Sequence, residues 1–115
     1  MKHILAATLL SAFAVCASAQ QKAAPAGDPK EAHKKIAMCE GCHGIPGYKT
    51  AYPSVYHVPM LGGQQAAYLA AALRAYKAGE RSHPSMRGIA AGLSDQDIAD
   101  LAAYYAAGHK GEEHK

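Results

Sequence analysis

The chain has 115 residues, with 12 Lys and Arg against 9 Asp and Glu for a formal charge of +3, and half of it is nominally hydrophobic. This length suits one domain, and so weak a basic excess, with no basic stripe, argues against a nucleic-acid binder.

A short basic start, Met1-Lys2-His3, leads into about a dozen mostly apolar residues from Ile4 to Val15. That run is shorter than the roughly 20 residues of a membrane-spanning helix, and Ala17-Ser18-Ala19 supplies a small-x-small cleavage pattern. Residues 1–19 are therefore expected to be a cleaved signal peptide. Cys16 goes with them, because Phe13-Ala14-Val15 is a poor approach to a lipoprotein site. The mature chain is then exported to the periplasm, with no membrane span, two cysteines in an oxidising compartment and a charge of +2 once Lys2 is gone.

Residues 20–27 are polar, Ala-rich and aperiodic, and read as a flexible lead-in. Asp28-Pro29 reads as an N-cap followed by proline at the first helical position. The first helix is expected to run on to Cys39, with Ala32 and Ile36 inward. Residues 44–63, rich in Gly and Pro, read as irregular chain, which in a small domain implies a loop wrapped around something. Gln64 to Ala78 gives the clearest helix, with Leu69, Ala72, Leu73 and Tyr76 on one face and Gly79 as its stop. Residues 80–92 read as a second loop with a short turn around Ile89. Ser94 caps a last helix with Ile98, Leu101, Ala102 and Tyr105 on its inner face, and Gly108 ends it. No strand or internal repeat is expected. The domain is placed at 28–108 and a charged tail at 109–115.

The core is thin. From Gln20 onward there are fourteen Ile, Leu, Val and Met residues and no Phe or Trp. A domain this small buries a modest fraction of its surface, so a large apolar group is expected to fill the middle. Cys39-Glu40-Gly41-Cys42-His43 indicates which group. A thioredoxin-like site needs a strand before the motif and alternating strands and helices around it. A structural zinc needs a fourth ligand, for which His57 is the available residue. Covalent haem attachment fits the spacing: the two sulfurs lie one turn apart, and the His43 imidazole swings to the same side.

The sequence resembles a class I c-type cytochrome, of the soluble bacterial monohaem kind and similar to single domains of dihaem cytochromes. The resemblance is carried by CEGCHG at 39–44, by Pro59-Met60-Leu61-Gly62-Gly63-Gln64, and by the stretches Tyr76 to Arg81 and Leu93 to Ile98. It implies an all-α fold with three main helices and short turns wrapped around one covalent haem c and its iron. Cys39 and Cys42 would hold the porphyrin and His43 would bind one face of the iron. For the other face, Met60 and Met86 both lie in expected loops, while Met38 is too close to Cys39 to cross over. Met86 stands where the family's axial methionine sits. The family pattern makes Pro59 the carbonyl partner of His43, which draws Met60 to the wrong side. His57 and His83 are further ligand candidates. Tyr76 and Arg81 are candidate propionate contacts, and Lys34, Lys35, Lys49 and Lys77 candidate docking charges. The expected function is periplasmic electron transfer between redox proteins, by a carrier rather than an enzyme, as a monomer or as a subunit of a redox complex. The alternatives are a haem-bearing subunit of a periplasmic oxidoreductase and a ligand-binding or peroxidatic haem protein.

Overall fold

The computed structural model describes residues 24–51 and 55–108, so the expected signal peptide and the charged tail lie outside the described residues. A 3-10 turn at Glu31–Lys34 is followed by α1 (Ala37–His43), β1 (Lys49–Thr50), β2 (Tyr56–His57), α2 (Ala66–Ala78), α3 (Pro84–Ala91) and α4 (Asp95–Ala106).

The first helix differs from its expected form. Asp28 does act locally, since its Oδ1 accepts from Lys30 N at 2.9 Å. Its own N–H, however, donates to Asp100 Oδ1 on α4 at 2.7 Å, and the His33 ring meets Tyr104 edge-on at 5.3 Å. Anchoring to α4 outweighs helix propensity here, and the segment winds as a 3-10 turn before α1 restarts at Ala37. Ala32 and Ile36 still point inward. The close approach has a second mark: a Cβ on Gly27 would sit 2.1 Å from the Ala99 carbonyl oxygen.

The second expected loop is largely a helix. His83 caps α3, accepting from Met86 N through Nδ1, and Pro84 takes the first helical position, where its missing N–H costs nothing. Met86 therefore sits on a helix rather than in a loop. A two-residue antiparallel pair was also unforeseen, with Lys49 opposite His57 and Thr50 opposite Tyr56.

The other two helices follow their expected faces. α2 ends at Gly79, whose left-handed φ of 81° lets Glu80 N and Arg81 N return to Ala75 O. α4 opens with a full capping box between Ser94 and Asp97. α2 packs against α3 and α4, and the 3-10 turn packs against α4. Leu69, Leu93, Ile98, Leu101, Tyr104 and Tyr105 form most of the shared core. Between α2, α3 and α4 on one side and α1 with the β pair on the other lies a cavity.

Candidate haem site

Cys39, Cys42 and His43 all come from α1, so the helix continues through the motif to His43 instead of stopping at Cys39. One turn of helix presents both sulfurs and the imidazole to the same cavity. Cys39 and Cys42 are not joined to each other as a disulfide. His43 is buried, and its Nδ1 donates to the Pro59 carbonyl oxygen at 2.6 Å. A hydrogen bond at Nδ1 fixes the tautomer, leaving the lone pair on Nε2.

The cavity measures about 510 Å³. α2 gives it Leu69, Leu73 and Tyr76, α4 gives Leu101, Ala102 and Tyr105, and α3 gives Met86 and Ile89. His57, Pro59, Arg81 and His83 complete the set of sequence-expected residues brought to this wall. Met38 reaches its edge but is 44 % exposed. Met60 is exposed and does not line the cavity. Arg81 stacks its guanidinium over the Tyr76 ring, 4.7 Å from the centroid.

Of the lysines considered for docking, Lys34 pairs with Glu31, Lys35 lies 3.6 Å from Asp97 Oδ2, and Lys77 donates to the Leu93 carbonyl. Three of the four therefore serve local structure. Lys49 begins β1 and is exposed.

Burial pushes the Cys39 thiol above its usual range; Glu40 adds to this and the Tyr105 hydroxyl opposes it. The Tyr105 phenol is also pushed up, first by burial and then by Cys39 and Glu40. The Tyr105 hydroxyl is buried without a well-formed hydrogen bond beside that sulfur. Both positions favour the neutral forms, consistent with an apolar occupant. An apolar chamber with two thiols one turn apart and an oriented imidazole fits covalent haem in shape and donor chemistry.

A family model described as Cytochrome c matches residues 30–106. The chain belongs to the cytochrome c family. It is 45% identical over 83 residues to cytochrome c-554(548) of Halomonas halodenitrificans, covering 70% of this chain and 95% of that relative. It is 41% identical over 81 residues to cytochrome c4 of Pseudomonas aeruginosa, covering 70% of this chain but 38% of the relative. A protein named thiosulfate dehydrogenase electron acceptor, from Thiomonas intermedia, is 34% identical over 105 residues, covering 91% of this chain and 43% of the relative. Among solved structures, reduced recombinant cytochrome c4 from Pseudomonas stutzeri superposes with a TM-score of 0.54 at 31% identity, covering 79% of this chain and 55% of that one. The chain thus spans about two-fifths of the length of the cytochrome c4 relative from P. aeruginosa. It is a class I c-type cytochrome similar to a single domain of a dihaem cytochrome c4, with the all-α fold of that class. Its cofactor is haem c, covalently held, and its chemistry is haem-based electron transfer. Electron transfer requires redox partners, and no described helix is long and apolar enough to cross a membrane.

Sequence reasoning assigned Leu69, Leu73, Leu101 and Tyr105 to a core; they line the haem cavity as well. Asp100 was missed. It is buried and joins Gln96 Nε2, at 2.8 Å, to the incoming N-terminal segment through Asp28 N. The Gln96–Asp100 spacing of one helical turn was the available signal.

Proposed function

We propose that this cytochrome is a periplasmic electron carrier, not itself an enzyme, in which His43 and Met86 bind the two faces of the iron and Cys39 and Cys42 hold the porphyrin. When bound, the haem supplies a one-electron ferric/ferrous couple. The observation that carries the ligand assignment is the hydrogen bond from His43 Nδ1 to Pro59 O. It aims Nε2 into the cavity that Met86 also lines, and a carbonyl partner raises the basicity of a ligating imidazole. Exposed Met60, off the cavity wall, has no comparable claim. The apolar side chains of α2 and α4 exclude water from the iron's surroundings. Tyr76 lines the same wall, with the Arg81 guanidinium stacked on its ring.

The periplasmic location rests on the signal-peptide pattern of residues 1–19, and the functional domain is taken as 28–108. The partners are periplasmic redox proteins. The printed name of the Thiomonas relative favours a second reading, in which this chain receives electrons as part of an oxidoreductase system. Met86→Ala tests the ligand assignment. Loss of a thioether ligand lowers the potential, and the expected fall is more than about 100 mV, within the roughly 0.8 V over which axial ligands set haem potentials. The weak near-infrared band of sulfur-ligated ferric haem should vanish with it. An unchanged band and potential would shift the sixth ligand to another side chain.

A further inference from the structure

Outside the haem cavity, between the end of α2 and the start of α3, lies a groove of about 500 Å³. Its wall includes Arg81, Ser82, His83 and Arg87. Arg81, Ser82 and His83 also line the haem cavity, so the two spaces share a partition.

Among the described residues, no side-chain carboxylate pairs with the cations of this groove. Among the described residues the ion pairs are Lys34–Glu31 and Lys35–Asp97, and neither involves these arginines. No acidic residue lines the groove; Glu80 lies in the same turn but outside its wall. Both arginines are exposed, and each guanidinium lies beside a neighbouring group. Arg81 rests on the Tyr76 ring. Arg87 rests over Gly79, where an added Cβ would meet its Cζ at 3.6 Å. His83 Nδ1 accepts from Met86 N, which leaves the ring's proton on Nε2 as a donor. Two guanidinium forks approach the groove from different elements, one from the turn after α2 and one from α3, with a hydroxyl and an imidazole beside them. That donor set suits an oxyanion, because a planar fork matches its oxygens two at a time.

We propose that this groove binds a free tetrahedral oxyanion of the phosphate or sulfate class, and that its occupancy is coupled to the charge on the iron through the shared Arg81 partition. The coupling rests on the electron-carrier reading above; the binding does not. A bound anion stabilises the ferric state over the ferrous state by simple Coulomb attraction. Linkage is reciprocal, so the oxidised protein binds the anion more tightly and the reduction potential falls as the site fills.

The test uses the holoprotein with inorganic phosphate, against chloride and acetate at matched ionic strength and pH. Calorimetry is run on oxidised and reduced protein, and potentials are read by spectroelectrochemistry. The expected result is saturable one-to-one phosphate binding, tighter in the oxidised state. Each tenfold preference corresponds to about 59 mV for a one-electron couple. Arg87→Gln, outside the haem cavity, should abolish saturable binding and the phosphate dependence of the potential while leaving the haem spectrum intact. Arg87→Lys should retain weakened binding. Phosphate acting only as chloride does, or Arg87→Gln binding like the parent protein, would overturn the site. Acetate binding as tightly as phosphate would overturn the choice of a tetrahedral oxyanion in favour of a partner's carboxylate. Equal affinity in both oxidation states would overturn the coupling. Phosphate binding to a protein that lacks the sulfur-ligand band would sink the Met86 assignment and leave the groove standing.

Discussion

Removing the haem tethers tests how far the fold depends on its cofactor. In Cys39→Ala/Cys42→Ala, no thioether can form. The cavity those residues face measures about 510 Å³. At roughly 24 cal/mol per Å³ of unfilled volume, an uncollapsed apo form would be destabilised by about 12 kcal/mol. Water entering the open side reduces that figure, but the whole stability of a small domain is only about 5–15 kcal/mol. The remaining core is too small to compensate: its largest fully buried side chains are Leu93, Ile98 and Leu101. The haem-free double variant should therefore show weak far-ultraviolet helix signal, no cooperative urea transition and collapsed amide dispersion in nuclear magnetic resonance spectra. Added free haem should restore part of the helix signal without covalent linkage. A haem-free variant that unfolds cooperatively, with a free energy above a few kcal/mol, would refute the claim that the porphyrin completes the core.

Two further predictions concern stability. In Gly27→Ala the new Cβ meets backbone, 2.1 Å from Ala99 O and 2.5 Å from Ala99 C, so the N-terminal segment must lift off α4. The expected cost is about 1–3 kcal/mol, read as a thermal midpoint lowered by roughly 4–8 °C per kcal/mol, whereas Gly41→Ala, in open space within α1, should raise it. Ser94→Ala removes the hydroxyl that accepts from Asp97 N at 3.1 Å and should cost about 0.5–2 kcal/mol. The backbone N–H and then the hydroxyl of Ser94 hold the Asp97 carboxyl below its usual range. A depressed carboxylate contributes stability above its unfolded value and loses it as pH falls through the folded one. The gap between Ser94→Ala and the parent protein should therefore narrow in acid titrations monitored by thermal unfolding, and a gap constant with pH would contradict the Asp97 linkage.

What the sequence reveals depends on how local the physics is. Ser94 with Asp97, and Gly79 after α2, act within one turn, so α2 and α4 are legible with their caps. The attachment motif is legible because its chemistry is set by spacing along one helix. α3 is hidden by its start, where histidine replaces a usual capping residue and Pro84 reads as a breaker; Met86, Ile89 and Ala90 nevertheless carried the helical spacing. The break between the 3-10 turn and α1 depends on Asp28 meeting Asp100, 72 residues away, which no local pattern encodes. The β pair is too short for alternation to register. The groove of Arg81 and Arg87 needs the fold to bring a turn and a helix together.

The bond from His43 to the Pro59 carbonyl has a kinetic side. If the other nitrogen binds the iron as proposed, a ring whose angle is pinned by a chain segment sixteen residues away has little freedom to rotate when the charge there changes. Electron exchange is fastest when nuclei have least to rearrange. Under that ligation the Pro59 loop would set a tempo, keeping nuclear reorganisation small so that neither oxidation state has to wait for the imidazole to settle.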